Sequence, residues 1–410
     1  LLSFRNNIYT RSTKGVTSDI WLLALVMFIN RSGAMVLPFL SIYLNQQLGI
    51  SLTDCGLIMI FYGLGSLSGA FTGGILTDRF GFVPVMVTSL FLTGASFIIV
   101  MGFTTFYALC GGIFLISFVA DNFRPANLTA IESFSTKENL TRSIGVIRLA
   151  INLGYAFGPF AGGLIAASLG YNFLFIINAL SVTLAGIVFA IYFRDKNQIP
   201  RKKVTKKVLS DVDMPWKDKS YMLYLSLFSI IAIVFFQLIY IVPLFYNTVY
   251  ELDESWVGIL MGVNGLSVFI LELPLIYTLE KRYTPIMLVI IGGVLIAISS
   301  LAFLLIPYVI VASLTYIIIG AIGEMLSFPF SNTYALSFCN NLNRGKYMGL
   351  YTMTFSLAHV IAPFAWFKCI DLLGYNMTWI LGCGMAIVAC GLLYILFGIQ
   401  KSVDCNTSLS

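Results

Sequence analysis

Histidine occurs once in this chain, at His359; no two cysteines form a CxxC pair, and neither a Walker loop nor a nucleophile elbow is present. Without the phosphate-cradling loop, ATP-driven pumping by this chain has no basis. One imidazole, no paired thiols and no nucleophile constellation leave no support for an enzyme. The seven cysteines (Cys55, Cys110, Cys339, Cys369, Cys383, Cys390 and Cys405) are an odd number scattered mostly through apolar runs. They read as small buried hydrophobes, not as disulfides or metal ligands. No metal or other cofactor is expected. Charge is scarce as well: 10% of the residues are Asp, Glu, Lys or Arg, against about 25% in soluble chains.

What the chain has is apolar length. Of its 410 residues, 59% are hydrophobic, in runs of twenty or more from end to end. Each run is long enough to cross ~30 Å of hydrocarbon. The runs are continuous, not alternating, so backbone groups must be satisfied within helices and not in a closed barrel. The chain is expected to be an all-α polytopic membrane protein with spans at 19–44, 54–77, 84–102, 106–133, 142–168, 172–193, 220–249, 255–279, 285–305, 308–338, 346–370 and 376–399. Leu1–Gly15 is polar and the first apolar run is long enough to span, so no cleaved signal peptide is expected; the missing initiator Met points to a trimmed start.

The net charge of +6 does not indicate nucleic acid, because the basic residues alternate by loop. Arg5, Arg11 and Lys14 precede the first span; Arg79, Lys137, Arg142, Lys281, Arg282, Arg344 and Lys346 fall on even-to-odd loops, and the linker 194–219 is the longest basic stretch. This is the positive-inside pattern, and it predicts that both termini are cytoplasmic in a plasma (inner) membrane. The opposite loops are nearly free of Lys and Arg, with Glu251-Leu252-Asp253-Glu254 as an acidic cluster. An internal echo recurs at an offset of 204 residues: Pro125 with Pro329, Gly145 with Gly349, Pro159 with Pro363, and Leu169-Gly170-Tyr171-Asn172 with Leu373-Gly374-Tyr375-Asn376. A fixed offset implies two copies of one unit. The expected domains are a six-helix bundle over 1–193, the linker 194–219, and a second bundle over 220–410.

Two stretches carry a family resemblance. Gly74-Ile75-Leu76-Thr77-Asp78-Arg79-Phe80-Gly81-Phe82-Val83-Pro84 resembles the G-x-x-x-D-R-x-G-R-R-P signature of the major facilitator superfamily, departing from it at Phe82 and Val83. Gly145, Gly154, Gly158-Pro159 and Gly162-Gly163 resemble the glycine ladder in span five of the proton-coupled drug antiporters of that superfamily. The resemblance implies twelve transmembrane helices in two pseudo-symmetric six-helix bundles, the major facilitator fold, working as a monomer. Gating is expected at both motifs: Arg79 would pair with Glu132, Asp78 would accept hydrogen bonds at a neighbouring helix N-terminus, Arg142 would also serve gating, and the ladder glycines would let a neighbouring helix approach. Pro159 is expected to bend its helix.

Arg31, Asp121, Arg124, Arg148, Glu272 and Glu324 stand within spans, where each charge costs ~2.5–3.5 kcal/mol. Three Arg and one Asp belong to the first half; two Glu and His359 belong to the second. A cleft between the halves would be cationic on one wall and anionic on the other. Arg31 is read either as a ligand for a substrate carboxylate or as a partner of Asp121. Asp121 and Arg124, three apart, share a helix face. Glu324 has no basic neighbour in its own helix, so desolvation suits it to proton coupling, with Glu272, Asp121 and His359 as further candidates. His359 also reads as a satisfied hydrogen-bonding residue. Asn30, Gln237, Tyr240 and Asn332 are polar spots that would shape the substrate site.

The resulting expectation is a secondary active transporter: proton-coupled antiport, exporting small amphipathic or drug-like molecules by alternating access. Its partners are then a small-molecule substrate, protons and the bilayer, with no nucleic acid. The alternative is proton-coupled symport of small peptides or other zwitterionic nutrients. A transporter-like receptor or lipid-handling protein is the reading from another class.

Overall fold

The computed structural model describes residues 15–136, 139–196, 214–280, 282–339 and 344–407, and every regular element among them is helical. Among the described residues, eleven helices are long and apolar enough to cross a membrane: Ser18–Gln47, Leu52–Phe80, Phe82–Val100, Phe106–Phe134, Arg142–Leu169, Tyr171–Phe193, Lys219–Thr248, Glu254–Leu279, Pro285–Leu305, Val309–Ser337 and Lys346–Gly398. The last is two helices joined at Gly374 (φ 79°, ψ 173°), which makes the expected twelve. They are called spans one to twelve below. Arg5, Arg11, Lys14, Lys137, Lys281 and linker residues 197–213 lie outside the described residues, and the Arg344 side chain is not described.

Apolar side chains cover the outside as well as the interior: Phe71 is 72% exposed, Ile191 75% and Leu305 76%. So much outward-facing apolar surface is stable only in lipid. Glycine sets the sharpest junctions. Gly81, Gly170 and Gly374 have φ of 88°, 90° and 79°, a region that strains any residue with a Cβ. Gly170 and Gly374 are the repeat-related pair, and their ψ values, 169° and 173°, match. The internal repeat read from sequence is therefore also a repeat of backbone conformation.

The chain forms two compact units, Leu1–Lys202 with Ile239–Ile270, and Lys203–Leu238 with Leu271–Ser410. In the first unit, span two packs on span four, three on six, and one on five. The two–four seam is built on Gly65, Gly69 and Gly73, where an added Cβ would collide with Ser117, Phe118 or Asn122. One end of this unit is a buried cluster including Ile20, Leu23, Phe82, Phe134, Phe189 and Phe193. A polar clasp closes it. Lys196 bonds Asp19, the Tyr192 hydroxyl donates to the same carboxylate at 3.1 Å, and Thr17 Oγ1 donates to the Phe134 carbonyl at 3.0 Å. The bond to Asp19 raises the Lys196 ammonium above the ordinary lysine value.

In the second unit, span nine packs on span ten, and span seven on the helices of Arg344–Thr407. Gly292 and Gly323 meet with no side chain between them; a Cβ on Gly292 would lie 2.6 Å from the Gly323 carbonyl. Its interior is aromatic: Tyr221–Tyr347, Tyr224–Tyr334 and Phe235–Phe328 have ring centroids 4.6, 4.8 and 4.7 Å apart. Such pairs each stabilise packing by roughly 0.5–1.5 kcal/mol beyond area burial.

Candidate functional site

Among the described residues four spans are interrupted: span nine breaks between Ser299 and Ala302, and the breaks in spans one, four and seven carry the candidate residues. Span one stops at Ser32 and resumes at Val36, then winds into a π-turn over Tyr43–Gln47. Span four breaks at Asn122, between Phe106–Asp121 and Phe123–Phe134. Span seven is split into Lys219–Phe235, Gln237–Tyr240 and Val242–Thr248. Span ten runs unbroken through Pro329. Broken helices at membrane depth leave backbone groups that protein must satisfy, and transporters place binding sites there.

The break in span one has visible causes. The Met35 amide reaches Asn178 Oδ1 at 3.4 Å and Ser181 Oγ donates to the Ile29 carbonyl at 2.6 Å, both from span six. A Cβ on Gly33 would lie 2.6 Å from Ser181 Cβ, so only glycine fits the turn. From span five, Gly154 and Gly158 cradle the same turn; a Cβ on Gly154 would stand 2.5 Å from Arg31 Cβ.

Arg31 is thereby fixed at the head of a polar cluster inside the first unit. Its Cζ lies 5.5 Å from the centroid of the Tyr155 ring, a cation–π distance. Its Nε is buried without a hydrogen-bond partner. Tyr155, Asp121 and Tyr62 are the groups that act on it electrostatically. Asp121 is buried and paired with Arg124, Oδ1 to Nη2 at 3.1 Å. Among the described residues no salt bridge joins Arg31 to Asp121, which acts on it only through its field. Tyr240 is fully buried, with Tyr62 and Asp121 in electrostatic reach. Two guanidiniums, one carboxylate and three phenols thus meet around the breaks in spans one, four and seven. Asn30 is half-buried one residue from Arg31. Tyr62 and Tyr155 escaped sequence reasoning, because a tyrosine in an apolar run looks like core.

The second unit holds the other candidates. Glu272 is 4% exposed; Glu324 is half-buried, immediately after the Gly323 crossing. His359 lies on Phe236, ring centroids 3.9 Å apart. Gln237 is buried against span twelve, where a Cβ on Gly382 would meet its Nε2 at 2.8 Å. Asn332 is exposed.

At the motif loops, three expectations are corrected. Arg79 does not pair with Glu132. Both are exposed, and Arg79 sits over its neighbour Phe80, 5.3 Å from Cζ to the centroid. Thr77 continues the buried Gly65–Gly69–Gly73 seam, and Arg79, two residues on, is turned by about 200° away from span four. Gly74 and Gly145 admit no close neighbour; a Cβ on either would meet nothing within 4 Å. Gly145 is nine residues from Gly154, about half a turn round the helix. Asp78 and Arg142 are exposed at the ends of their helices, and Gly81 closes span two by donating its amide to Thr77 at 3.0 Å.

The rest of the ladder is a two-sided device. Gly154, Gly158 and Gly162 face span one. Gly163, nine residues from Gly154, faces the opposite way onto Gly258 of span eight. Pro159 shares that second face; a Cβ on Gly258 would lie 2.5 Å from its carbonyl. Beyond the contact, Tyr171 donates to Glu254 Oε1 at 2.8 Å and packs on Tyr43 at 5.6 Å. Gly258, Gly262 and Gly265 were also not foreseen, although their spacing is that of a helix seam.

The Major Facilitator Superfamily profile matches residues 20–363. A Na(+), Li(+), K(+)/H(+) antiporter of Planococcus maritimus is 22% identical over 415 residues, covering 90% of this chain and 92% of its own. The multi-drug resistance efflux pump PmrA of Streptococcus pneumoniae serotype 4 (strain ATCC BAA-334 / TIGR4) is 25% identical over 250 residues, 57% of this chain and 58% of the pump. Among solved structures, a POT family transporter in complex with 5-aminolevulinic acid superposes with a TM-score of 0.77 at 16% identity, over 92% of this chain and 95% of that one. The profile, the apolar spans and the shared fold agree, and this chain belongs to the Major Facilitator Superfamily as a multi-pass membrane transporter of small molecules.

Proposed function

We propose that the chain is a proton-coupled antiporter that exports small amphipathic or drug-like molecules by alternating access. The observation that carries this reading is the ladder of span five, which seats the broken span one on one face and span eight on the other. A helix with backbone-to-backbone contacts on two faces is suited to sliding between packings, because no interlocking side chains must be withdrawn. The likeness to a cation/proton antiporter and to a drug efflux pump supports the same direction. The moving bodies in this proposal are the bundles 1–193 and 220–410, joined by the linker 194–219. The chain acts as a monomer in the plasma (inner) membrane with both termini cytoplasmic. Arg31, Asn30, Arg124, Gln237, Tyr240 and Asn332 contribute to substrate binding. Gly81, Gly154, Gly158, Pro159, Gly162 and Gly163, with Asp78 and Arg142, serve gating.

Protons are carried by Glu324, assisted by Glu272, Asp121 or His359. A carboxyl desolvated among apolar side chains loads and releases protons nearer neutrality than one in water. In proteoliposomes, an imposed proton gradient should drive at least one member of a charge series of amphiphiles (2-naphthoate, 2-naphthamide or 2-naphthylmethylammonium) in the direction opposite to proton flow. Glu324→Gln should abolish gradient-driven movement and spare exchange of the same probe; full gradient-driven activity in that variant would remove Glu324 as the proton carrier. The second reading, proton-coupled symport of small peptides or other zwitterionic nutrients, draws on the buried unpartnered Nε of Arg31. Gradient-driven dipeptide accumulation with no export of any of the three naphthyl probes would establish it and end the export reading.

A further inference from the structure

We infer that the Arg31 cluster is a subsite for an anionic group, and that the transported molecules are amphiphiles bearing one negative charge. This rests on the export reading for the direction of transport, and on the geometry of the first unit for the chemistry.

Charge balance comes first. Arg31, Arg124 and Asp121 are the charged groups of the cluster, two cations against one anion, and the carboxylate is already taken by Arg124. Arg31 therefore has no ion-pair partner of its own among the described residues: Asp121 acts on it without a salt bridge while bonded to Arg124, so its positive charge in a span is only partly balanced. Burying a charge without a partner is tolerated when a ligand supplies one. Hydrogen bonding points the same way. Arg31 Nε–H is buried and donates to nothing in the protein, a group that costs free energy until an acceptor arrives.

The surroundings match an acid on an apolar body. Tyr155 presents its ring beneath the guanidinium, and Tyr62 and Tyr240 bring two phenols to the same cluster. Guanidinium and phenol groups can donate to a carboxylate or sulfonate, while the aromatic faces accommodate hydrophobic substituents. A cationic ligand would meet the opposite field, with its one available counter-charge already engaged. The glycines at 154 and 158 hold Arg31 from behind, so its position is built into the backbone packing and not left to a flexible side-chain search.

The test uses the full chain in nanodiscs and three probes with one ring system: 2-naphthoate, 2-naphthamide and 2-naphthylmethylammonium, titrated by calorimetry. The carboxylate should bind about tenfold or more tightly than either other probe, as expected for a charge-assisted hydrogen bond. Arg31→Gln should level the three to within about threefold. Tyr240→Phe, which keeps the shape and removes one hydroxyl, should weaken the carboxylate alone by about threefold to tenfold. Equal or tighter binding of the ammonium, binding of none of the probes, or a carboxylate preference that survives in Arg31→Gln overturns the subsite. If Arg31→Gln fails to fold, the wild-type series and Tyr240→Phe still decide. The export reading fails separately: in that case no proton gradient drives any probe out of proteoliposomes, whichever probe binds.

Discussion

Span two and span five carry the same kind of sequence, glycine every fourth residue, and use it differently. In span two, Gly65, Gly69 and Gly73 lie on one azimuth and bind one partner, span four, along a straight seam. In span five, Gly154, Gly158 and Gly162 face span one, and Gly163 turns to span eight. The first seam fixes two helices of one bundle. The second shares a helix between two neighbours, one of them broken at the contact. Small residues therefore do not denote one role; their angular spread decides whether they make a fixed joint or a divided one.

The comparison can be broken most severely at Gly69. A Cβ there would collide with the Phe118 backbone, which cannot yield as a side-chain tip can. Gly69→Ala should lower stability by roughly 1–3 kcal/mol, measured by thermal unfolding in detergent. Retention of the wild-type melting temperature would mean that the two–four seam is loose. An intermediate effect is expected at Gly163. Gly163→Ala should part spans five and eight while sparing the fold, so amide exchange over 254–262 should accelerate about tenfold with spans two and four unchanged. The least effect belongs to Gly145, which nothing approaches within 4 Å. Gly145→Ala should be neutral or raise stability by up to roughly 1 kcal/mol through helix propensity; a clear loss of stability would show that its face is occupied.

Much of the fold was legible because its signals are additive. Length and hydropathy mark the spans, and the offset of 204 residues correctly paired Gly170 with Gly374. Asp121 and Arg124 were also readable, since a three-residue spacing on one helix needs no tertiary knowledge. What stayed hidden depends on azimuth relative to a neighbour. Arg79 seemed aimed at Glu132 until the seam face of span two was known. Gly145 seemed part of the ladder although its distance from Gly154 puts it half a turn away. Tyr62 and Tyr155 carry no sequence mark at all: their place in the cluster arises from neighbours on other helices. The interruption after Arg31 was equally silent, because side chains of span six cause it.

That interruption has a mechanical side. A continuous rod transmits a push from one end to the other, whereas a rod with an elbow at Gly33–Met35 can pivot there. The N-terminal piece, tied by Thr17 and Asp19 to its own bundle end, is thereby uncoupled from tilting of the segment that ends in the π-turn. A guanidinium at the pivot travels least when either arm swings, so in the proposed alternating-access cycle a ligand bound to it would stay near one depth.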